Sequence, residues 1–229
     1  VAKERPAWGF ALVDLRGHAR SFPAPAPPHT LAGMAADLVA TEDAVPGPIK
    51  GVMGHSLGGK VALAYARERG LDQTWVFDSQ PGRYEARASH VTAEVFRMLQ
   101  KLPARFARRD EFVEAVLADG KSEMLARWLA MNVKREGEAF RLQLDLPAIG
   151  AILEDYAAQD YWPDLERAPS GERHLVVGTK STVWVEGDES RLARVEQSNA
   201  TTVHRLEGGH WIHMEAGDAL RARIVAALP

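Results

Sequence analysis

The sequence predicts an α/β fold, a mostly parallel sheet flanked by helices with a helical cap inserted between core strands, and three observations point there. Short apolar β-like runs alternate with helical segments through most of the chain, as they do when crossover helices cover both faces of a parallel sheet. The glycine-rich stretch Gly54-His55-Ser56-Leu57-Gly58-Gly59 lies between one such run and a strong helix former. The alternation then breaks between about Arg83 and Glu166, where the apolar spacing turns helical.

Taken in order, Trp8 to Val13 reads as the first strand, Phe22 to His29 as a Pro-rich loop, and Leu31 to Thr41 as a helix. Ile49 to Met53 is a strand, Lys60 to Arg69 a helix and Thr74 to Phe77 a strand. After the break come a strand at Arg173 to Val177, a helix at Ser190 to Ser198, a strand at Thr201 to Leu206 and a final helix at Gly217 to Leu228. Inside the break, Val91 to Leu102, Glu111 to Leu117, Met124 to Met131 and Ile149 to Tyr156 carry helical spacing, and Ala139 to Leu144 reads as a short hairpin arm. Pro81-Gly82 and Pro163 bound this block, so residues 83–166 are expected to form a cap over the carboxyl edge of a core made of residues 1–82 and 167–229. The competing reading is that these helices pack as ordinary core.

Composition narrows the function by exclusion. At 229 residues the chain suits one globular domain with an insertion, and a net charge of −3 gives no reason to expect nucleic acid or an anionic membrane as partner. With Cys at 0, disulfides, thiol nucleophiles and cysteine-ligated metals are excluded, and no pair of ligands shows the i, i+4 helical spacing of a metal site; no cofactor is expected. No apolar run approaches the roughly 18 residues of a membrane helix and the first residues lack a signal peptide's apolar stretch, so a cytoplasmic location is expected.

A serine between strand and helix with glycines on both sides is the pattern of a nucleophile elbow, a strained turn in which Gly54 and Gly58 let the chains approach without Cβ clashes. A serine hydroxyl is a poor nucleophile at neutral pH, so Ser56 needs a base and the base an orienting carboxylate. The base is expected after the last strand, where Glu207-Gly208-Gly209-His210-Trp211 puts His210 on a loosened loop. His213 is a nearby rival placed at the start of the last helix; His204 falls within a strand, and His29, His90 and His174 have no motif around them. One oxyanion donor is the backbone N–H of Leu57, at the positive end of its helix.

The strand running into Asp14-Leu15-Arg16-Gly17-His18-Ala19-Arg20-Ser21, then Gly54 to Lys60, then Gly208-Gly209-His210-Trp211, resembles the α/β-hydrolase family. Together with Val76 to Tyr84, the wording is similar to a subgroup of small acyl esterases and acyl-CoA thioesterases; the cap matches only loosely. The resemblance implies a structural role for Asp14 and His18, which would order the loop beside the site. It implies Asp78 as the acid, since the subgroup carries its carboxylate there, and a strand tip is also near Ser56 because neighbouring strands lie about 4.8 Å apart. The rival is Asp188: many members carry the acid after the strand ending at Val177, but Gly178-Thr179-Lys180-Ser181 offers a serine instead. The resemblance further implies a strand between Trp8 to Val13 and Ile49 to Met53, and a His-Gly loop giving the second oxyanion donor. Neither is in the sequence, so an N-terminal piece of at least about 30 residues, in a longer precursor or a separate chain, is expected as a partner.

Two functions follow. The first is a serine hydrolase cleaving carboxylic esters or thioesters through an acyl-enzyme on Ser56. The second is a non-catalytic or disabled relative that retains the pocket. Phe96, Phe112, Trp128, Tyr161 and Trp162 are candidates to line an acyl pocket, although at helical spacing such residues more often belong to core.

Overall fold

The structure, a computed structural model, describes residues 1–84, 91–167 and 170–229. The strands are β1 (Gly51–His55), β2 (Gln73–Phe77), β3 (Arg105–Phe106), β4 (Val133–Glu136), β5 (Ala139–Leu142), β6 (Glu172–Gly178) and β7 (Thr202–Leu206). The helices are α1 (Leu31–Thr41), α2 (Leu57–Glu68), α3 (Val91–Lys101), α4 (Arg109–Ala118), α5 (Glu123–Ala130), α6 (Leu146–Ala158), α7 (Trp162–Glu166), α8 (Asp188–Ser198), α9 (Ile212–Glu215) and α10 (Gly217–Ala227). Among the described residues no helix is long and apolar enough to cross a membrane.

The chain forms two compact units, one of residues 1–12, 31–84 and 156–229 and the other of residues 13–30 and 85–155. The first holds a parallel four-stranded sheet in the order β1-β2-β6-β7. β2 lies inside the sheet, and all five of its residues are buried, as a strand covered on both faces requires. Trp75, Phe77, Val176 and Leu206 pack with Ile212, Leu220, Ile224 and Leu228 from α9, α10 and the residue that follows. α2 is buried along Gly59 to Ala66, and Lys60 within it is fully buried. Its Nζ donates to the carbonyls of Gly82 (2.8 Å), Tyr156 (2.7 Å) and Gln159 (2.9 Å) and sits 4.3 Å from the centre of the Tyr156 ring.

The expected strand at Trp8 to Val13 is not formed. These residues have no regular structure, and Phe10, Leu12 and Val13 are exposed. A strand needs a neighbour for its N–H and C=O groups, and among the described residues none lies beside this segment; β1 is an edge strand paired on one side by β2.

The second unit combines α3, α4, α5 and most of α6 with an antiparallel sheet in the order β3-β5-β4. Phe106, Phe112, Val116, Leu129, Val133 and Leu142 form its core. The expected hairpin arm at Ala139 to Leu144 is β5, which pairs with the unexpected strand β4 through a turn at Gly137 with φ +65°. The Asp14 to Ser21 segment lies in this unit as a folded loop: Asp14 takes a hydrogen bond from Arg20 Nε at 2.9 Å, and Asp145 N donates to Gly17 O at 2.8 Å.

Candidate active site

Parallel strands bring their carboxyl ends to one edge, and the residues following β1, β2, β6 and β7 gather there. β1 ends at His55 and α2 begins at Leu57, so Ser56 alone makes the turn, with φ 53° and ψ −118°. A positive φ on a non-glycine residue costs on the order of 1–3 kcal/mol and persists only where the surroundings impose it. They do so here: Ser56 N donates to Phe77 O at 3.0 Å, and Gly59 N donates to Ser56 O at 2.9 Å. A Cβ on Gly54 would overlap the Gly58 carbonyl, and one on Gly59 would overlap the Ser79 side chain. Nothing lies near a Cβ built on Gly58, so the steric demand after the serine falls on Gly59 and not on the expected Gly58.

His210 follows β7, with Nε2 3.1 Å from Ser56 Oγ and Nδ1 2.8 Å from Asp78 Oδ2. A carboxylate accepts, so Nδ1 carries the proton and Nε2 presents its lone pair to the serine hydroxyl. Asp78, directly after β2, is fully buried. Its Oδ1 accepts from Gly178 N (2.9 Å) and Trp184 Nε1 (2.9 Å), and its Oδ2 from Ser181 Oγ (2.5 Å) as well as from His210. Burial alone would raise this carboxyl, but the bonds from His210, Ser181, Gly178 and Trp184 outweigh it and hold it below the ordinary aspartate value. Leu57 opens α2, where the first N–H groups have no acceptor within the helix.

The structure thus brings Ser56, His210, Asp78 and Leu57 to one edge and leaves Asp188 outside the contact. Asp188 accepts from Val185 N (2.9 Å) and Gln80 Nε2 (3.3 Å) at the start of α8, and burial raises its carboxyl above the ordinary value. His213 lies on α9, a separate short helix, with its ring 4.9 Å from that of His55. His174 and His204 share a hydrogen bond of 3.1 Å and stack on Trp75 within the sheet; His90 lies outside the described residues. Of the candidate pocket residues, Phe112 is core of the second unit and Phe96 lies where a Cβ on Gly150 would press on its ring. Trp128 is exposed, while Tyr161 and Trp162 are buried with Arg67 and Arg191 over their rings.

Sequence reasoning did not find Trp184, His55 or Glu215. Trp184 donates to Asp78, His55 reaches the His210 carbonyl, and Glu215 accepts from Gly209 N at 2.7 Å. Ser181 had a signal, since it stands after β6 in the stretch Gly178-Thr179-Lys180-Ser181, a place expected to carry an acid. Trp184 had none.

A parallel sheet whose strand tips hold a serine, a histidine and an aspartate in one hydrogen-bonded line is an arrangement shared by α/β hydrolases. The chain belongs to the alpha/beta hydrolase family, which it matches over residues 2–223. Solved structures of similar fold include a marine microorganism esterase, with a TM-score of 0.76 and 18% identity over 93% of this chain and 82% of that one. E-2-(acetamidomethylene)succinate hydrolase has a TM-score of 0.72 and 16% identity over 93% of this chain and 78% of its own. The thioesterase domain from the curacin biosynthetic pathway has a TM-score of 0.60 and 18% identity over 93% and 79%. At these identities the likeness is one of fold. No curated protein matches the chain.

Proposed function

We propose that this chain is a serine hydrolase cleaving carboxylic esters or thioesters through an acyl-enzyme on Ser56. The observation that carries the reading is the line from Ser56 Oγ to His210 Nε2 (3.1 Å) and from His210 Nδ1 to Asp78 Oδ2 (2.8 Å), built on a strained elbow. His210 Nε2 takes the hydroxyl proton as Oγ attacks the carbonyl carbon, and the Leu57 N–H donates to the oxyanion that forms. The imidazolium lies against Asp78, whose lowered carboxyl keeps it ionised at neutral pH. The proton on Nε2 then passes to the leaving alkoxide or thiolate, and the ester or thioester bond breaks to leave Ser56 acylated. Water then gives a proton to the same nitrogen as its oxygen adds to the acyl carbon; the Ser56 Oγ–acyl bond breaks, Nε2 returns the proton to Oγ, and the acid leaves.

A fluorophosphonate probe on the folded protein tests the nucleophile, and a panel of p-nitrophenyl esters and acyl-CoA thioesters of graded chain length tests the substrate class. Labelling that disappears in Ser56→Ala is expected. Absent labelling, or labelling that persists in Ser56→Ala, overturns the reading.

A further inference from the structure

His55 precedes the nucleophile in the elbow and takes no part in the proton transfers above. It is the last residue of β1, so the strand that delivers Ser56 also fixes the His55 backbone. Its Nε2 lies 2.7 Å from the main-chain oxygen of His210, and the two rings are 4.6 Å apart at 38°. A carbonyl only accepts, so Nε2 of His55 carries the proton. Burial pushes this ring down to about 4, which leaves it neutral with Nδ1 unprotonated at neutral pH.

His210 is therefore held at three points. Asp78 and Ser56 meet its ring nitrogens, and those bonds act on a ring that can still turn about its side-chain torsions. The bond from His55 acts on the backbone. The preceding glycines loosen the loop, and they are tied separately: Gly209 N to Glu215 Oε2 at 2.7 Å, and Gly208 O by Lys180 N at 2.9 Å. An apolar residue of the same size would fill the space beside the rings of Trp211 and His213 equally well, but would offer the carbonyl no donor.

We infer that His55 is a positioning residue for the base: its Nε2–H bond to the His210 carbonyl anchors the main chain of the base to the strand that carries the nucleophile. The Ser56 to His210 distance is then set from a single rigid element. This inference rests on the reading of Ser56 and His210 as nucleophile and base.

Three substitutions test it, because glutamine and histidine place a nitrogen at the same number of bonds from Cβ. His55→Gln keeps a donor at the position of Nε2, His55→Asn brings its nitrogen one bond short, and His55→Met keeps the volume without a donor. Each variant is measured for kcat and KM on a p-nitrophenyl ester and for the rate of fluorophosphonate labelling of Ser56, beside the wild type and Ser56→Ala. Displacement of a reacting group by about 1 Å loses on the order of 100-fold, so Met and Asn are expected to lower kcat and labelling by about 10- to 100-fold. KM should move by no more than about threefold, and Gln should stay within about threefold of wild type throughout. Wild-type kcat in the Met variant, or a Gln variant as slow as Asn, overturns the positioning role; if the Met variant does not fold, the comparison of Gln with Asn decides. Equal hydrolysis by wild type and Ser56→Ala overturns the hydrolase reading and this inference with it. An inactive Ser56→Ala beside unaffected His55 variants removes the inference alone.

Discussion

Lys60→Met is the most demanding perturbation that leaves Ser56, His210 and Asp78 in place. Among the described residues Lys60 Nζ donates to three carbonyls, which takes the three N–H donors of an ammonium. Hydrogen bonds to a charged group are worth about 1.5–3 kcal/mol each, which makes a gross loss of roughly 4.5–9 kcal/mol for the three. Methionine also removes the desolvation penalty of the buried charge, but leaves three carbonyls without this donor at about 1–3 kcal/mol each, so a net destabilisation of roughly 3–5 kcal/mol is expected. At 2–4 °C per kcal/mol for a chain of this size, the melting temperature should fall by roughly 6–20 °C. Methionine keeps the aliphatic stem, so the loss reports the ammonium and its carbonyls rather than a cavity. Urea denaturation followed by circular dichroism, with calorimetry alongside, measures it. A loss below about 1 kcal/mol, the size of an ordinary point substitution, refutes the reasoning.

Two further outcomes are expected. Asp78→Asn should lower kcat by about 10³- to 10⁴-fold with KM little changed, because an amide in that place favours the wrong imidazole tautomer, while Asp188→Asn stays within about threefold. Steady-state kinetics on one ester ranks them, and the reverse order makes Asp188 the acid. Stability should fall as pH drops from 6.5 towards 4: His55 and His204 titrate near 4 in the folded chain against an ordinary 6.5, so the unfolded chain takes up protons that the folded one refuses. The lowered carboxyl of Asp78 adds stability that is present above its ordinary value of 3.8 and lost as pH falls through the folded value. Urea midpoints from pH 7 to pH 4.5 test the histidine window, and midpoints flat across it refute the histidine assignment.

What the sequence disclosed about the fold and the site follows the range of the interactions involved. Strands β2 and β6 and helices α1, α8 and α10 were legible because apolar sequence and buried position coincide there. β4 was not, since Val133 alone of its residues is buried and a strand with three exposed residues carries no period. Trp8 to Val13 shows the converse, as β-like composition makes a strand only where another strand lies alongside. In the site, Ser56 was legible from six consecutive residues and His210 from its place after the last strand. Asp78 and Asp188 were both open in the sequence, and the hydrogen bond to His210 is made by Asp78. The indole of Trp184 is 106 residues from Asp78 in the chain and His55 is 155 from His210, and no short window contains both partners of either bond.

Asp78 and Ser181 follow neighbouring strands, yet the Ser181 hydroxyl meets the carboxylate at 2.5 Å. Two chain addresses therefore converge on one address in space. An imidazole reads only where a carboxylate stands, not which strand supplies it, and beside β6 the chain offers a hydroxyl and an indole where it need not offer an acid. The segment from Gly178 to Trp184 carries no carboxylate of its own and grips its neighbour's, so what this loop owes the site is three donors within reach of Asp78.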